Sequence, residues 1–410
     1  MGFKPALELE GLPALRKPFT PTPGLSIAPY KSPHYEGSGS VFFRLSSNPA
    51  DKRLGLFTCA HVSHPPPLFN NKAYDRKKAS HLREDVLLLG TESFNKAVGN
   101  IMEFIGTEIS NIETWESNLN EIPEPVEGEH DRFAAKRKEL VNLIDAARNK
   151  IGEADRLHTY VTKNFTTAES RVIGFVLHSS KIEVGAGGFM YDWSMIQLDE
   201  DKIERADFKG NKLFVGTSLS HLLVVVFFVP HQTDGSFSNT GGNKTKDDWE
   251  KYMFSQPNDR RGFSTPKHML LTLKGYVTEA EMRNPQNLDF HNVQTLLAVK
   301  NGRTTGTTFG RVTGLESITR VYTDHNISEK ALEYIVCGYD TKTGRNDKFS
   351  ESGDSGSMVV GRDGRLIGML TGGGGPADAT DKTYITPYYM LKDAISQKFP
   401  GSHLLDVDAE

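Results

Sequence analysis

The residue in this sequence best suited to covalent chemistry is a serine between two glycine-containing turns. Ser355 lies in the segment ESGDSGS at 351–357, directly before the apolar run MVV. A serine hydroxyl is a poor nucleophile until a base removes its proton, and acyl transfer then develops an oxyanion that needs hydrogen-bond donors. The glycines permit a tight turn that can aim the main-chain N–H groups of Gly353 and Ser355 at one point. The segment predicts a nucleophile with an oxyanion hole, although GDSG alone could also be a surface turn.

A histidine near the N-terminus is the candidate base. His61 lies in the segment FTCAHV at 57–62, where an apolar strand ends in a small residue just before it. This places an imidazole at a strand end, where a cleft can form. A lone histidine after a strand is usually a satisfied or exposed side chain. Together with the downstream serine segment, however, it predicts that His61 is a general base.

A carboxylate that could orient this histidine opens a third apolar strand. Asp192 lies in the segment YDWSMIQL at 191–198. A carboxylate in this position is well placed to be buried against the imidazole, where it would accept the Nδ1–H bond and stabilise the imidazolium. Asp199 is the rival, but it lies at the other end of the strand and is interpreted as a solvated terminus. We therefore predict a triad of His61, Asp192 and Ser355.

The order of these residues, with the motifs TCAH, DWSMI and GDSGS, resembles the chymotrypsin-like (trypsin-fold) serine peptidases. The segment KNGRTTGT at 300–307 is most similar to intracellular fungal members of that family. The resemblance implies an all-β fold of two antiparallel six-stranded barrels, with the triad in the cleft between them. It implies a serine endopeptidase that hydrolyses peptide bonds through an acyl-enzyme on Ser355, with Gly353 and Ser355 as the oxyanion hole.

The resemblance also indicates a substrate pocket. The implied substrate-binding residues are Phe349, Thr371, Gly372, Gly373 and Thr383. Phe349 stands six positions before Ser355, where the family often has the base of the pocket, and it is not an acid. A trypsin-like preference for lysine or arginine is therefore not expected. Small residues at 373 and 383 leave room for an apolar side chain, unless Phe349 fills the pocket.

One departure from the family pattern concerns activation. No Arg-Ile-Val-Gly-Gly-like site precedes the first barrel, so activation through a newly cut N-terminus is not expected. Asp354 then lacks the partner that the resemblance implies, and the sequence names no substitute. There is no His-Glu-x-x-His, Cys-x-x-Cys or phosphate-loop motif. The sequence predicts no cofactor and no metal.

Composition narrows the class and setting of the protein. The chain has 410 residues, 37% of them hydrophobic and 24% charged, and a net charge of −4, which is typical of a globular protein and gives no electrostatic reason to expect nucleic acid. No apolar run reaches the roughly 20 residues that a membrane span needs, and the longest, 222–229, is predicted to be a buried strand. Scarce cysteines and no secretory signal predict an intracellular, cytoplasmic protein. Cys59 and Cys337 are predicted to be two buried thiols rather than a disulfide.

Patterning divides the chain into five parts. Apolar residues at helical three-and-four spacing over 98–119 and 133–157 predict an antiparallel helical hairpin between segments with strand-like patterns. Its stripes are interpreted as core and solvated faces, with a partner-binding role left open. The predicted parts are an N-terminal arm (1–30), a first barrel (31–90 and 166–232), the helical hairpin (91–165), a linker or insertion (233–289), and a second barrel with a terminal helix (290–410).

Two functions from different classes remain open at this stage. The first is an active endopeptidase whose partners are protein or peptide substrates, its own chain included, because the segment 233–248 could reach a cleft. The second is a catalytically silent protein-interaction module on the same scaffold, with the helical hairpin as its binding surface. An intact triad favours the enzyme. The physiological substrate, the cleavage-site preference and the oligomeric state are not predictable from the sequence.

Overall fold

The structure is a computed structural model. It describes residues 12–123, 131–203, 208, 210–216, 244–262, 265–323, 325, 327–339, 348–374 and 382–406. The predicted strand at 222–229 lies outside these residues, as does the larger part of the predicted self-cleavage segment 233–248. All structural statements below concern the described part of the chain.

Short strands make up most of the body, at the places where apolar runs alternate with turn residues. They are β1 (Ser26–Pro29), β2 (Gly37–Ser38), β3 (Phe42–Arg44), β4 (Leu54–Thr58), β5 (Tyr74–Asp75), β6 (Asp85–Leu88), β7 (Val172–Ser179), β8 (Glu183–Val184), β9 (Met190–Tyr191), β10 (Ser194–Leu198), β11 (Lys212–Phe214), β12 (Leu270–Thr272), β13 (Asn287–Leu288), β14 (Gln294–Gly302), β15 (Gly306–Thr323), β16 (Ile327–Gly338), β17 (Met358–Gly361), β18 (Leu366–Gly374), β19 (Lys382–Pro387) and β20 (His403–Leu404).

The first sheet has nine antiparallel strands and forms a half-barrel. Its order is β2-β1-β6-β7-β10-β4-β3-β20, with β5 also paired to β7. The sheet curls until β2 and β3, which are consecutive in the chain, lie near its two ends. The residues that connect them extend the pairing on both sides: the Gly39 amide donates to the Leu25 carbonyl just before β1 (2.8 Å), and the Ser40 amide donates to the Phe57 carbonyl in β4 (2.7 Å). This arrangement differs from the predicted closed six-stranded barrel.

The second sheet has seven antiparallel strands and closes on itself. Its order is β13-β14-β15-β16-β19-β18-β17, and an extra pairing of β14 with β17 turns six of the strands into a ring. Strands β15 and β16 are longer than their apolar patterns predicted, because a register shift between Val312 and Glu316 lets their ladder continue beyond the ring. Apolar side chains, among them the fully buried Tyr334 and Val359, fill the inside of the ring.

Helices are the second component of the fold. They are α1 (Pro13–Arg16), α2 (Ala60–Ser63), α3 (Pro66–Phe69), α4 (Thr91–Asn120), α5 (Asp131–Phe165), α6 (Lys246–Met253), α7 (Glu279–Arg283) and α8 (Tyr388–Lys398). The predicted terminal helix matches α8. The capping box predicted at Thr278 begins α7, where Thr278 accepts from the Glu281 amide and donates its own N–H to the Glu281 carboxylate.

The helical hairpin is confirmed as α4 and α5, with 30 and 35 residues. At 1.5 Å per residue, each helix is about 45–53 Å long. The two helices pack along their apolar stripes and are joined by ion pairs from Lys150 to Glu108 (3.0 Å) and from Arg148 to Glu116 (2.9 Å). Near its base, Phe94 and Ile101 belong to the core of the body.

The fold class is therefore mixed rather than all-β. Two antiparallel sheets, one a half-barrel and one ring-like, carry a long helical hairpin between β6 and β7. The apolar periodicity predicted this hairpin as an insertion into an all-β fold. Its helices of 30 and 35 residues are a large enough share of the chain to make the class mixed. Within the described residues no helix is both long and apolar enough to cross a membrane. No disulfide joins the two cysteines, and Cys59 is buried as predicted, whereas Cys337 is only half-buried.

Candidate active site

His61 and Asp192 form a close pair at the end of the first sheet. Strand β4 ends at Thr58, so His61 lies in the short helix α2 rather than at the strand end that the sequence predicted. The pairing of Thr58 with Ser194 in β10 brings Asp192 alongside that helix. The His61 ring Nδ1 lies 2.5 Å from Asp192 Oδ2, and the His61 backbone N–H donates to Oδ1 at 3.0 Å. Both carboxylate oxygens of Asp192 therefore hold the same histidine.

The surroundings of this pair favour a charged imidazolium. The Asp192 side chain is only 6% exposed, and that of His61 is 23% exposed. Burial by itself lowers the pKa of His61, but the charge of Asp192 and its hydrogen bond act in the opposite direction. The net effect raises the pKa of His61 above its ordinary value of 6.5. A histidine held this way accepts a proton readily at neutral pH.

The rival carboxylate has a different partner. Asp199 follows β10 at its far end and accepts a bidentate pair of bonds from Arg83, at 2.7 and 3.2 Å. Arg83 also pairs with Asp85 at 2.7 Å. The structure thus brings His61 together with Asp192, and it places Asp199 in a separate ion-pair cluster.

The segment that carries Ser355 crosses from the second sheet to the same junction. The Ser355 carbonyl accepts from the Ser38 amide at 2.8 Å, and the Gly356 amide donates to the Leu370 carbonyl at 2.8 Å. The Leu370 carbonyl also accepts from the thiol of Cys59, which lies two residues before His61, at 3.3 Å. Gly356 has φ +90°, and a Cβ there would lie 2.5 Å from Thr58 Oγ1. This close approach requires glycine and sets Ser355 beside the α2 segment.

The Ser355 hydroxyl makes no hydrogen bond to the His61 ring in the described part of the chain. Ser355 and His61 are each half-buried, and both lie at the junction of the two sheets. Catalytic hydrogen bonds in unliganded sites are often long and tighten when substrate binds. Rotation about the Cα–Cβ bond of serine moves the hydroxyl without moving the loop.

The half-buried residues Gly353 and Ser355 have main-chain amides with no intramolecular acceptor among the described residues, as does the exposed Ser352 before them. The amides on either side of Ser355 are both used, because Asp354 donates to Glu351 at 3.0 Å and Gly356 donates to Leu370. Gly353 has φ +95°, a left-handed conformation that favours glycine. Partly buried N–H groups without an acceptor are uncommon in proteins. This alternation leaves two donors available to a ligand oxygen.

Asp354 is fully buried and forms an ion pair that the sequence did not indicate. Its Oδ2 lies 3.2 Å from the Lys300 Nζ, and both side chains are 0% exposed. The carboxylate also accepts from the backbone N–H groups of Thr304 (2.8 Å) and Glu351 (3.0 Å), and from the Thr305 hydroxyl (2.6 Å). Burial acts to raise the pKa of Asp354, but Lys300 and these hydrogen bonds outweigh it and lower the pKa. Lys300 is the partner that the sequence left unnamed.

The predicted substrate-binding residues fall into three environments. Thr371 and Gly372 line a cavity next to His61 and Asp192. Thr383 is buried and shares a 2.5 Å hydrogen bond with Ser350, and Gly373 lies beside that pair. Phe349 is fully buried, with its ring against Gly310 in the core of the second sheet. The Thr371 hydroxyl, implied to sit under the aspartate, donates to the Tyr384 carbonyl at 3.4 Å.

The cavity beside His61 has a volume of about 310 Å³ and a largely apolar wall. Its walls come from both sheets, and the extension of β15 and β16 closes one side. The lining residues are Tyr35, His61, Pro66, Pro67, Ile182, Met190, Asp192, Thr319, Val321, His325, Ile327, Glu333, Thr371, Gly372 and Tyr384. Such a volume holds one or two amino-acid side chains.

Glu333 is a buried acid in this cavity that sequence reasoning missed. It is 2% exposed and accepts a bond from the Thr386 hydroxyl at 3.0 Å. Burial raises the pKa of Glu333 well above its ordinary value, against the hydrogen bond from Thr386, and the negative charge of Asp192 raises it further. The neutral acid is thereby favoured. A single glutamate in a long strand of alternating residues gives no sequence signal for such a position.

One group of side chains in the described residues could in principle hold a metal ion, because ligand atoms of Cys59, His61 and Asp192 lie within 4.8 Å of one another. Their chemistry fits proton transfer better. The Asp192 oxygens already accept two His61 bonds, and the Cys59 thiol donates to a carbonyl. Burial, followed by the charge of Asp192, raises the pKa of Cys59 well above its ordinary value, which disfavours the thiolate that a metal needs.

Comparison with known proteins gives low-identity structural similarity to chymotrypsin-fold serine proteases. Thermobifida fusca protease A has a TM-score of 0.36 and 9% identity, over 94% of this chain and 97% of its own. Cellulomonas bogoriensis chymotrypsin has a TM-score of 0.27 and 14% identity, over 57% and 75%. Nocardiopsis protease has a TM-score of 0.27 and 10% identity, over 58% and 82%. These scores are too low to assign an activity to the chain. No protein-family model and no curated protein sequence matches it.

Proposed function

We propose that this protein is a serine endopeptidase with Ser355 as nucleophile, His61 as general base and Asp192 as the residue that orients the histidine. The observation that carries the proposal is the pairing of a histidine with a buried carboxylate beside a serine loop that has two amides without acceptors. Each part is common alone. Together, a base, an orienting acid, a nucleophile and an oxyanion site are what acyl transfer requires.

In the proposed reaction, the Ser355 oxygen attacks the carbonyl carbon of a peptide bond while its proton passes to His61 Nε2. The Asp192 carboxylate holds the Nδ1–H of the ring and stabilises the imidazolium. The imidazolium then gives the proton to the leaving amine as the carbon–nitrogen bond breaks. Water, deprotonated by His61, attacks the acyl-enzyme, and the proton returns to Ser355 Oγ as the acid product leaves.

The amides of Gly353 and Ser355 are proposed to stabilise the oxyanion of both tetrahedral intermediates. They lie in one loop with no competing acceptor among the described residues, so both are available to a ligand oxygen. Removal of one such donor in an acyl-transfer enzyme costs about 10²–10³-fold in kcat. Asp354, which stands between Gly353 and Ser355, holds the loop in place through its buried ion pair with Lys300.

The cavity next to His61 is proposed to receive a substrate side chain. Its mostly apolar wall, with prolines and isoleucines, favours an uncharged residue. This agrees with the sequence-based expectation that lysine and arginine are not preferred.

A fluorophosphonate probe tests the proposal directly. The probe phosphonylates an activated serine, so wild-type protein should be labelled on the peptide that contains Ser355, and Ser355→Ala and His61→Ala should not. Ser357→Ala is the matched control, because its buried hydroxyl has no hydrogen-bond partner among the described residues and its loss should leave labelling intact. Folded wild-type protein that resists labelling and cleaves no peptide in a random library would support the silent interaction module instead.

Self-cleavage of the chain, and a relationship to the intracellular fungal members of the family, are further proposals. If the chain cuts itself within 233–248, wild-type protein loses mass on incubation and His61→Ala does not. The rate should be independent of protein concentration if the cut is intramolecular. Full mass after prolonged incubation of active enzyme contradicts self-cleavage. The similarity to intracellular fungal members, and an intracellular location, rest on the segment 300–307 and the scarce cysteines alone.

A further inference from the structure

The turn between β14 and β15 is hydrogen-bonded to the loop that carries Ser355, and it contains no residue of the proposed triad. The backbone N–H of Arg303 donates to Ser38 Oγ at 3.0 Å, and that hydroxyl donates to the Gly353 carbonyl at 3.1 Å. The Thr304 hydroxyl donates to the Ser352 carbonyl at 2.7 Å. Both carbonyls that frame the Gly353 amide are therefore tied to residues 303 and 304.

The Arg303 side chain lies directly on Gly353. A Cβ built on Gly353 would come within 2.8 Å of Arg303 Nη1 and 3.1 Å of its Cδ. The arginine side chain is only 15% exposed, and both its Cδ and its Nη1 lie against the glycine, while its other two guanidinium nitrogens bond elsewhere. The position of the Gly353 amide thus depends on where this guanidinium is held.

What holds the guanidinium is the base of the helical hairpin. Arg303 Nε donates to Glu36 Oε2 and to Ser93 Oγ, each at 2.9 Å, and its Nη2 pairs with Glu92. Glu92 and Ser93 form the first turn of α4, which has no side-chain cap of its own. A helix start leaves amides without acceptors and attracts negative charge.

Glu36 links the two features. Its Oε1 accepts the amide N–H of Glu92 at 2.8 Å and that of Ser93 at 3.0 Å, so it caps α4 from a separate segment. Its Oε2 bonds Arg303, and the side chain is only 1% exposed. One buried carboxylate is shared by the helix start and the arginine. A shift of the first turn of α4 must therefore move the guanidinium or break a charged bond.

We infer that Arg303 is a positioning residue for the oxyanion hole, and that it couples the first turn of the helical hairpin to the Gly353 amide. The inference deepens the proposed function and rests on it for the catalytic consequence. Its structural part, the dependence of the loop at 352–355 on Arg303 and Glu36, stands on the contacts alone. It also predicts that binding a partner to the hairpin changes turnover without touching the cavity.

The experiment compares Arg303→Met, Arg303→Lys and Glu36→Gln with wild-type protein in two measurements. The first is kcat and KM on a peptide found by library screening. We expect Arg303→Met to lower kcat about 10–100-fold with KM changed less than about threefold, because an oxyanion donor acts mainly in the transition state. Arg303→Lys keeps the charge and should recover part of the loss. Glu36→Gln should give an intermediate kcat.

The second measurement is amide hydrogen exchange of the peptide that spans 352–356, which needs no activity. Exchange should rise in Arg303→Met and Glu36→Gln and stay near wild type in the matched control Arg83→Met. Arg83 also makes two carboxylate pairs, but at the far end of β10 from Asp192. Unchanged exchange at 352–356 in a folded Arg303→Met overturns the inference. If Arg303→Met does not fold, Arg303→Lys and Glu36→Gln decide in the same way.

The two measurements separate failure of the inference from failure of the proposed function. Faster exchange at 352–356 with no turnover in any protein, wild type included, keeps the positioning role and rejects the peptidase. Wild-type turnover with kcat and exchange both unchanged in Arg303→Met rejects the positioning role and keeps the peptidase. Faster exchange with unchanged kcat overturns the catalytic part of the inference.

Discussion

The histidine half of the candidate site is held by one side-chain pair, whereas the serine half is held by a network of backbone and buried charged groups. His61 and Asp192 share two hydrogen bonds at the end of the half-barrel. The Ser355 loop is tied by Ser38, Leu370, Lys300 and the turn at 303–305. The difference matches what the roles proposed for each half would require. A proton acceptor needs one orientation of one ring, but an oxyanion site needs several backbone atoms fixed together.

Replacing Asp192 breaks the histidine half and should have the largest effect. Asp192→Asn keeps the shape but removes the charge that stabilises the imidazolium and selects the tautomer. A loss in kcat of about 10⁴-fold is expected, as for the same change in other triads. The measurement is steady-state turnover of a peptide substrate. Asp199→Asn is the matched control, since Asp199 pairs with Arg83 instead. A loss below tenfold in Asp192→Asn would contradict the assigned role.

Replacing Lys300 should disturb the serine half of the site by lowering the stability of the fold around Asp354. Lys300→Met leaves the buried Asp354 carboxylate without its cation, and removal of one partner of a buried ion pair costs about 3–5 kcal/mol. The measurement is the free energy of unfolding in urea at pH 7. Lys136→Met, which removes an exposed pair with Glu139, should cost no more than about 1 kcal/mol. Similar stability of the two variants would show that the buried pair does not hold the loop.

The stability that Asp354 contributes should depend on pH with a definite sign. Its pKa is lowered in the folded protein, so the ionised carboxylate stabilises the fold above the unfolded-state pKa of about 3.9. That contribution is lost as the pH falls through the lowered pKa. In Lys300→Met the ionised Asp354 carboxylate should no longer stabilise the fold, because its cation is gone. The difference in unfolding free energy between wild type and Lys300→Met should therefore become smaller as the pH falls and Asp354 is protonated. A constant difference from pH 7 down to pH 3 argues against this.

The pH dependence of activity tests the histidine half of the site, because it reports the pKa of the proposed base His61. Because the pKa of His61 is raised, the base remains protonated to a higher pH than an ordinary histidine. The acid limb of kcat/KM should therefore have its midpoint above pH 6.5. In Asp192→Asn burial remains but the opposing charge is lost, so the acid limb of the residual activity should move to lower pH. A midpoint that moves upward would contradict the assigned cause.

The smallest effect is expected at the outer part of the helical hairpin. Arg148→Ala removes an exposed pair with Glu116 between α4 and α5, and such pairs are worth about 0–1 kcal/mol. Turnover should stay within twofold of wild type, because neither residue contacts the network at Glu36. The check is kcat together with the thermal midpoint. A large loss of activity would mean that coupling to the serine half extends along the whole hairpin.

Much of this fold was predictable, because local patterns carried it. The two helices of the hairpin and the terminal helix lie in the parts of the chain where the residue pattern predicted them. The resemblance, rather than any local pattern, implied the closure of the second sheet, which depends on pairing of the distant strands β14 and β17. The extension of β15 and β16 was not predicted, because its residues 316–330 carry few apolar side chains.

The site shows the same division. Short motifs pointed to His61, Asp192 and the Ser355 loop, and the structure brings the first two into contact. Lys300, Glu333 and Arg303 gave no comparable signal, because a charged residue in a strand or turn usually faces solvent. Their partners are distant in the sequence: Asp354 is 54 positions from Lys300, Thr386 is 53 from Glu333, and Glu36 is 267 from Arg303. Only the three-dimensional arrangement turns such residues into parts of a site.

The burial of the Lys300–Asp354 pair has a consequence for the behaviour of the protein in concentrated electrolyte. Mobile ions screen attractions between solvent-exposed charges beyond a distance that falls from about 10 Å at 0.1 M to about 3 Å at 1 M, but they screen buried pairs much less. The pairs on the outside of α4 and α5 are open to them, whereas Lys300 and Asp354 have no exposed surface. Rising ionic strength should therefore loosen the outer hairpin long before it disturbs the loop around Ser355.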